Sequence, residues 1–277
     1  MEGTPLRRSG RRRVDLIRSA RPRLSLPRRS RNKPRAKAGT LEVSLMRIDP
    51  AGWPFVIGGL LLAIVTLWLV TPAVGVVLLV LTTFFLFFFR DPERHISAPD
   101  TAVLSPADGR VMVAGASTTQ AFPSDRWQQI SIFLSPMDVH VNRLPVSGRV
   151  LSVKYHPGRF LPAYRSDAGE LNEFTEVTID HGGRPIVVRQ IVGILARRIV
   201  CRAREGDVVR AGDRFGVMKF GSRMDVFLPL DAVVQTTVGE KVVGGTTVLA
   251  VLPDVRSSAR SDAAPCLPER LNGVPCT

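Results

Sequence analysis

The chain has 277 residues, 38 Lys+Arg against 24 Asp+Glu, and a formal net charge of +14. With 45% hydrophobic residues and a mean hydropathy of +0.12, it is too apolar for a disordered basic protein. The charge is uneven: residues 1–49 hold 15 Lys/Arg and four acids (Glu2, Asp15, Glu42, Asp49), a net of +11, leaving +3 for the other 228 residues. The pI of 11.1 therefore describes a tail, and a basic nucleic-acid-binding core is disfavoured. Cys201, Cys266 and Cys276 show no C-x-x-C spacing, so neither a disulfide framework nor a metal site is expected.

Residues 1–49 are rich in Arg, Ser and Pro and have no apolar face, the composition of a disordered tail. Met46 opens M-R-I-D-P just before an apolar run, and is an alternative start. From Pro50 to Phe89 there are 40 consecutive uncharged residues; as one helix they would reach ~60 Å, roughly twice the bilayer core. Thr71–Pro72 and Gly75 break the run, which predicts two helices, 53–70 and 74–89, folded back as a membrane-associated hairpin over 50–89. Basic flanks (the tail, Arg90 and Arg94) place both ends on the cytoplasmic side of the cell membrane, with the following domain there too. A span and a shallow insertion both remain open.

After Arg90 the texture changes to short strand-like segments such as RVMVAG, WQQISIFL, EVTIDHGG and DVFLPL, separated by turn signals. This predicts a mostly-β domain over 90–253 with no amphipathic helix of ten or more residues between 96 and 253. Residues 254–277 are polar and Pro-rich, as in a loose C-terminal tail. SPADGRV (105–111) and PVSGRV (145–150) share a turn-then-strand pattern, and GDVVRAG (206–212) and GEKVVGG (239–245) align as G-[D/E]-x-V-x-x-G. The doubled motif resembles the half-barrels of biotinyl/lipoyl-type folds, so the domain is expected to be barrel-sandwich-like. One functional alternative follows: VMKF (217–220) looks like the biotinyl turn, with Lys219 as the modified residue of a carrier domain.

Gly221–Ser222 lies between two strand-like segments, in K-F-G-S-R-M-D-V-F-L-P. Glycine leaves its carbonyl unshielded and tolerates unusual φ/ψ, so the following hydroxyl can approach the carbonyl carbon. Attack by Ser222 Oγ would shift the acyl group from N to O, and elimination would then cut the chain. Such a step needs a base and an oxyanion donor. His140, in S-P-M-D-V-H-V-N-R-L-P (135–145), is the best base candidate. Asp138 stands two residues before it, on the same face if the segment is a strand. Asp108, at the S-P-A-D-G turn (105–109), is either an Asx-turn acid or a residue orienting an imidazole. His95, His156 and His181 are read as structural or solvent-exposed.

The strings SPADG, SPMDVHVNRLPVSG, PGRF-LPA and FGSRMDVFLP, in this order behind a hydrophobic hairpin, resemble the short prokaryotic form of phosphatidylserine decarboxylase over roughly 47–253. That family consists of self-cleaving proenzymes. The resemblance implies a cut between Gly221 and Ser222 into chains 1–221 and 222–277, which stay together as a heterodimer. It implies a covalently bound pyruvoyl cofactor made from Ser222, and an Asp/His/Ser triad of Asp108, His140 and Ser222, with Asp138 also matching a family aspartate. The implied reaction forms a Schiff base between the pyruvoyl group and an anionic phospholipid substrate, phosphatidylserine, and releases CO2 and phosphatidylethanolamine. Membrane and lipid, not nucleic acid, would be the partners. One segment departs: short-form relatives show a polar N-E-R-N-like stretch where this chain reads L-N-E-F-T (171–175), keeping Asn172 and Glu173. Headgroup recognition is the property that the departure bears on.

Overall fold

The computed structural model describes residues 47–194, 199–219 and 221–253. The expectations for the basic tail through residue 46, for the Met46 start, and for 254–277 with Cys266 and Cys276 lie outside the described residues. The uncharged run forms two helices, α1 (Trp53–Leu69) and α2 (Pro72–Phe88). Thr71 is extended (φ −146°, ψ 138°) and Pro72 opens α2, because proline is preorganised for a first helical turn but cannot continue a preceding helix. The second helix thus starts at the proline, two residues before the expected position. Pro50–Leu69, with mean hydropathy 2.0, is long and apolar enough to cross a membrane. Most large side chains of α1 are exposed, Trp68 by 86%, as are Val74, Val76, Val77, Val80 and Leu81 of α2.

The remainder is mostly β, as expected. One eight-stranded antiparallel sheet runs, edge to edge, Val208–Val209, Gly148–His156, Phe174–His181, Arg184–Ile191, Ser222–Pro229, Trp127–Leu134, Gly109–Ala116, Lys241–Val242. Two three-stranded sheets (Ile199–Cys201, Arg214–Met218, Val141–Arg143; and Val233–Val234, Val248–Val251, Ala102–Leu104) complete the domain. The only helix in it, among the described residues, is the four-residue α3 (Ala168–Leu171). Period-2 alternation explains the core: Met224, Val226 and Leu228 point inward with Ile130, Ile132, Leu134, Ile186 and Val188.

The near-repeats prove to be structural equivalents. Val208 and Val209 pair with Arg149 and Gly148, just as Lys241 and Val242 pair with Arg110 and Gly109. Gly206 N–H donates to Val150 O and Gly239 N–H to Val111 O, so each G-[D/E]-x-V turn closes onto its own S/D-G-R-V strand. The two halves of the large sheet meet where Arg184–Ile191 lies beside Ser222–Pro229. That seam carries the Gly-Ser bond.

The outward face of the seam is polar yet buried. Arg223, 1% exposed, donates through Nε to Asp225 Oδ1 (2.6 Å) and through Nη2 to Asp225 Oδ2 (2.9 Å) and Ser131 Oγ (3.0 Å). Gln129 Nε2 adds a bond to Asp225 Oδ2 (3.1 Å). Removing one partner of such a pair strands the other charge in a dry site, so Asp225→Ala is expected to lose about 3–5 kcal/mol of stability. Chemical denaturation of the purified variant checks this.

The hairpin is pinned to the β domain at both ends. Arg47–Ile48 pairs with Arg90–Asp91. The buried Asp49 carboxylate accepts from Ala51 N–H (2.9 Å) and Arg202 Nη2 (2.7 Å). Asp91 takes Arg143 (3.3 Å) and Arg214 (2.6 Å). Arg90 and Arg94, the flanking cations of the topology argument, are likewise engaged: Arg90 on Phe87 O and Met137 O, Arg94 on Asp108.

Candidate active site

Ser222 opens a strand paired on both sides, with Trp127–Leu134 and with Arg184–Ile191. Its side chain alternates with Arg223 and so faces the core, where it is completely buried and its Oγ has no hydrogen-bond partner. Gly221 before it has φ +69°, a left-handed conformation that costs other residues energy and glycine almost nothing. Running the Arg223–Ile191 register back two residues places Gly221 opposite Gly193. A Cβ built on Gly193 would lie 1.9 Å from the Gly221 carbonyl oxygen. Only a residue without a side chain lets that carbonyl come so close.

The segment over 135–140 differs from the expected strand. Pro136 favours the corner of a turn, Asp138 N–H donates to Ser135 O (2.9 Å), and Ser135 N–H donates to Asp138 Oδ2 (2.9 Å). The strand begins only at Val141. Asp138 and His140 are therefore neighbours in a turn, and the Asp138 carboxylate serves that turn. It is the Asp138 backbone carbonyl that accepts from His140 Nδ1 (2.9 Å). This fixes the tautomer, since a ring nitrogen bonded to a carbonyl must carry the proton and leaves Nε2 as the bare acceptor. Nε2 is buried and unpartnered. Burial pushes the His140 pKa down to about 4, against weaker opposition from the bond to Asp138, so the ring is a neutral base at pH 7.

Asp108 does not orient that imidazole. Its carboxylate is gripped by both Arg94 terminal nitrogens (2.6 and 2.8 Å) and by the Gly244 amide (2.8 Å), while Arg94 also donates to Gly244 O. The bidentate grip of a guanidinium with a backbone amide satisfies most of a carboxylate's acceptor sites. Asp108 still acts at a distance, as a charge that raises the His140 pKa. Lys219 is not presented at a free tip as a carrier lysine would be: Nζ sits 4.6 Å above the Phe55 ring and 5.8 Å from that of Phe89. His181 Nδ1 bonds Ser147 O and His156 stacks on Phe174 at 4.4 Å, both structural placements.

Two further features flank the site, and of their residues Gln190 has no signal in the sequence. Asn142 and Gln190, both fully buried, join through Gln190 Nε2 to Asn142 Oδ1 (2.8 Å), and leave Asn142 Nδ2 and Gln190 Oε1 unpartnered. Gln190 pairs across the ladder with Met224, two residues from Ser222. Asn142 stands two residues after His140, the amide that flanks the base in D-V-H-V-N-R. The second feature is Asn172. It accepts from Leu161 N–H (2.9 Å) and donates to Leu161 O and Val192 O (both 2.8 Å), clamping the backbone next to Gly193. In the L-N-E-F-T segment, Asn172 thus carries structure.

On the side of Gly221 away from the core lies a cavity of about 360 Å³ lined by Phe133, Pro136, Pro162, Ala163, Tyr164, Ile194 and Gly221. It is almost wholly apolar, while a second cavity across Phe133 carries Arg110, Ser135, Asp138 and Lys241. An apolar slot lined by Gly221, next to a polar one, suits an amphipathic molecule.

Residues 81–250 match the family model described as phosphatidylserine decarboxylase. A phosphatidylserine decarboxylase proenzyme of Granulibacter bethesdensis is 45% identical over 216 residues, covering 73% of this chain and 84% of its own. One from Symbiobacterium thermophilum is 45% identical over 203 residues (73% and 94%), and one from Syntrophus aciditrophicus 42% identical over 200 residues (72% and 94%). With its seam-borne Gly-Ser bond, buried neutral base and these relatives, the chain is an enzyme of the carboxy-lyase type and belongs to the phosphatidylserine decarboxylase family.

Proposed function

We propose that the protein is a proenzyme that cuts itself between Gly221 and Ser222, converts Ser222 into a pyruvoyl group, and then decarboxylates phosphatidylserine to phosphatidylethanolamine. The observation that carries this reading is Ser222 Oγ, buried without a partner directly after a left-handed glycine. Leaving a hydroxyl unsatisfied in a protein interior costs about 1–3 kcal/mol, a cost that function explains better than folding. The residues present fit the group: a buried hydroxyl to supply its atoms, a preceding glycine whose carbonyl no side chain of its own shields, and a bare imidazole nitrogen to move protons.

In the self-cleavage, His140 Nε2 takes the Ser222 hydroxyl proton as Oγ attacks the Gly221 carbonyl carbon. The C–N bond breaks, the Ser222 nitrogen receives the proton, and an ester links Gly221 to Ser222 Oγ. Loss of the Ser222 Cα proton expels Gly221 as a carboxylate and leaves dehydroalanine at 222. Tautomerisation and addition of water release ammonia and leave the pyruvoyl group. Once formed, that group supplies the electron sink for loss of CO2 from a serine headgroup. The new chain end does not drift, because 222–229 pairs with Trp127–Leu134, 223–227 pairs on its other side with 187–191, and Arg223 is anchored on Asp225, so chains 1–221 and 222–277 stay together as a heterodimer.

The substrate is a membrane lipid, which accounts for the apolar hairpin and the apolar cavity at Gly221. The hairpin holds the domain at the cytoplasmic face of the cell membrane, where basic residues are attracted to anionic lipid. Arg110 and Lys241 beside the polar cavity suit the lipid phosphate and the serine carboxylate. Intact mass analysis tests the reading: the purified protein is expected as two chains, the smaller starting at residue 222 with a blocked N-terminus, and to release CO2 from phosphatidylserine vesicles. A chain that stays whole at 30.3 kDa while releasing CO2 would refute the mechanism.

A further inference from the structure

The exposed apolar surface of the hairpin stops short of its last turn. Phe88 and Phe89 are buried, 0% and 1% exposed, whereas Trp68 at the far end is 86% exposed. Phe88 and Phe89 pack with Val139, Val141 and Val217 of the β domain. The Phe88 ring lies on the His140 imidazole, with centroids 4.1 Å apart and planes 33° from parallel. Phe89 meets Phe88 edge-on at 5.1 Å and stacks with Phe55 of α1 at 5.6 Å. Lys219, two residues before Gly221, sits over Phe55 and Phe89. Arg90, just past the hairpin, donates to Met137 O (2.7 Å) in the turn that leads into His140.

Contacts from one end of the hairpin therefore reach both His140 with the turn before it and Lys219, two residues before Gly221. The joint is held by ion pairs of Asp49 with Arg202 and of Asp91 with Arg143 and Arg214. An imidazole with a single ring hydrogen bond, to Asp138 O, can still pivot about that bond unless its faces are walled. Phe88 walls one face and keeps water from it.

We propose that Phe88 is a positioning residue of the self-cleaving site: the docked end of the hairpin fixes the His140 ring and keeps it dry, so the chain cuts itself only when the hairpin is seated on the β domain. This rests on the reading that His140 and Ser222 perform the cleavage. It makes the apolar hairpin a component of maturation as well as an anchor. Chains whose hairpin has not packed onto the domain stay uncut, which ties formation of active enzyme to assembly of its membrane segment.

The test follows conversion of freshly synthesised full-length chain to its two fragments in detergent micelles, by gel, across pH. Wild type and Trp68→Ala, altered at the distal tip, are expected to convert alike. Phe88→Ala is expected to convert at least about tenfold more slowly, because small misplacements of reacting groups are costly, with Phe88→Leu recovering part of the rate. A second readout separates positioning from loss of fold. Around His140 the charges acting are Arg90, which lowers its pKa, and Asp108, which raises it, while Asp138 contributes through its backbone carbonyl and burial is the largest cause. Opening the Phe88 face to water removes part of that burial, so the acid limb of the conversion profile should move up from about 4 towards 6.5. Phe88→Ala converting at the wild-type rate with an unshifted profile would overturn the proposal. If Phe88→Ala lacks a cooperative thermal transition, Phe88→Leu decides by the same profile, and wild-type rate and profile there overturn the proposal equally. Wild-type chain that never cuts would overturn the cleavage reading itself, and this inference with it.

Discussion

Ser222→Ala protein is expected to remain one chain of 30.3 kDa, to release no CO2 from phosphatidylserine, and to unfold at the same temperature as the uncut wild type or higher. The last clause makes the experiment discriminating. Most buried hydroxyls are bonded, and deleting one strands its partner. Ser222 Oγ has no partner, so its removal strands nothing and relieves a desolvated polar atom. A serine kept for structure would show the opposite sign. His140→Ala should also stop or cripple cleavage, by roughly 10²–10⁴-fold, the range contributed by a general base. That substitution does cost stability, because the imidazole fills space against Phe88. Both variants cut at the normal rate would refute the assigned chemistry.

Gly193→Ala is expected to have the next largest effect, although Gly193 carries no reactive group. Its Cα faces the Gly221 carbonyl oxygen so closely that one methyl would stand 1.9 Å from it. Neither side can yield easily: Val192 O is held by Asn172, and the strand after Gly221 is paired with 127–134 along its length and with 187–191 over 223–227. The seam must open by about an ångström at the carbonyl that Ser222 is proposed to attack, a displacement that costs about 10²-fold in rate. Overpacking of this kind costs about 1–3 kcal/mol in stability, which a two-sided sheet tolerates. The variant should therefore fold, with a lowered thermal midpoint, and accumulate uncut chain over a time course in which the wild type is fully processed. Cleavage at the wild-type rate would show that the close approach has no catalytic meaning.

The effects expected for Ser222, His140 and Gly193 concern one peptide bond, and the three residues come from separate strands or turns. Their separation explains why some residues were readable early and others were not. The hairpin was evident because its signal is local: an uncharged stretch interrupted by Thr71–Pro72, which breaks a helix whatever surrounds it. The β domain was evident for the same reason, since alternation such as M-D-V-F-L along 224–228 has meaning only at strand period. The doubled G-[D/E]-x-V-x-x-G motif was visible as a repeat, and each copy encodes a turn that closes on its nearest S/D-G-R-V partner. The chemistry proposed for Gly221–Ser222 and His140 resides in their own side chains or backbone, so residue type and neighbours suffice to single them out.

The partners were another matter. Asp108 lies on Arg94 and the Gly244 amide, and nothing along 105–109 distinguishes Arg94 from the other cations of an Arg-rich chain. The S-P-M-D run closes a turn around Asp138 where alternation had pointed to a strand, because a local side chain to backbone bond outcompeted the ladder. Gly193 acquires its role from the register of two strands far apart in the chain, and Phe88 from the docking of a hairpin that composition marks only as greasy. The chain's own order of residues thus dictated which elements form and which groups can react, because those depend on covalent neighbours and period. Folding in three dimensions decides which groups lie dry and unpartnered and which face each other across the seam, because burial, register and ion-pair choice belong to residues that are strangers in the sequence.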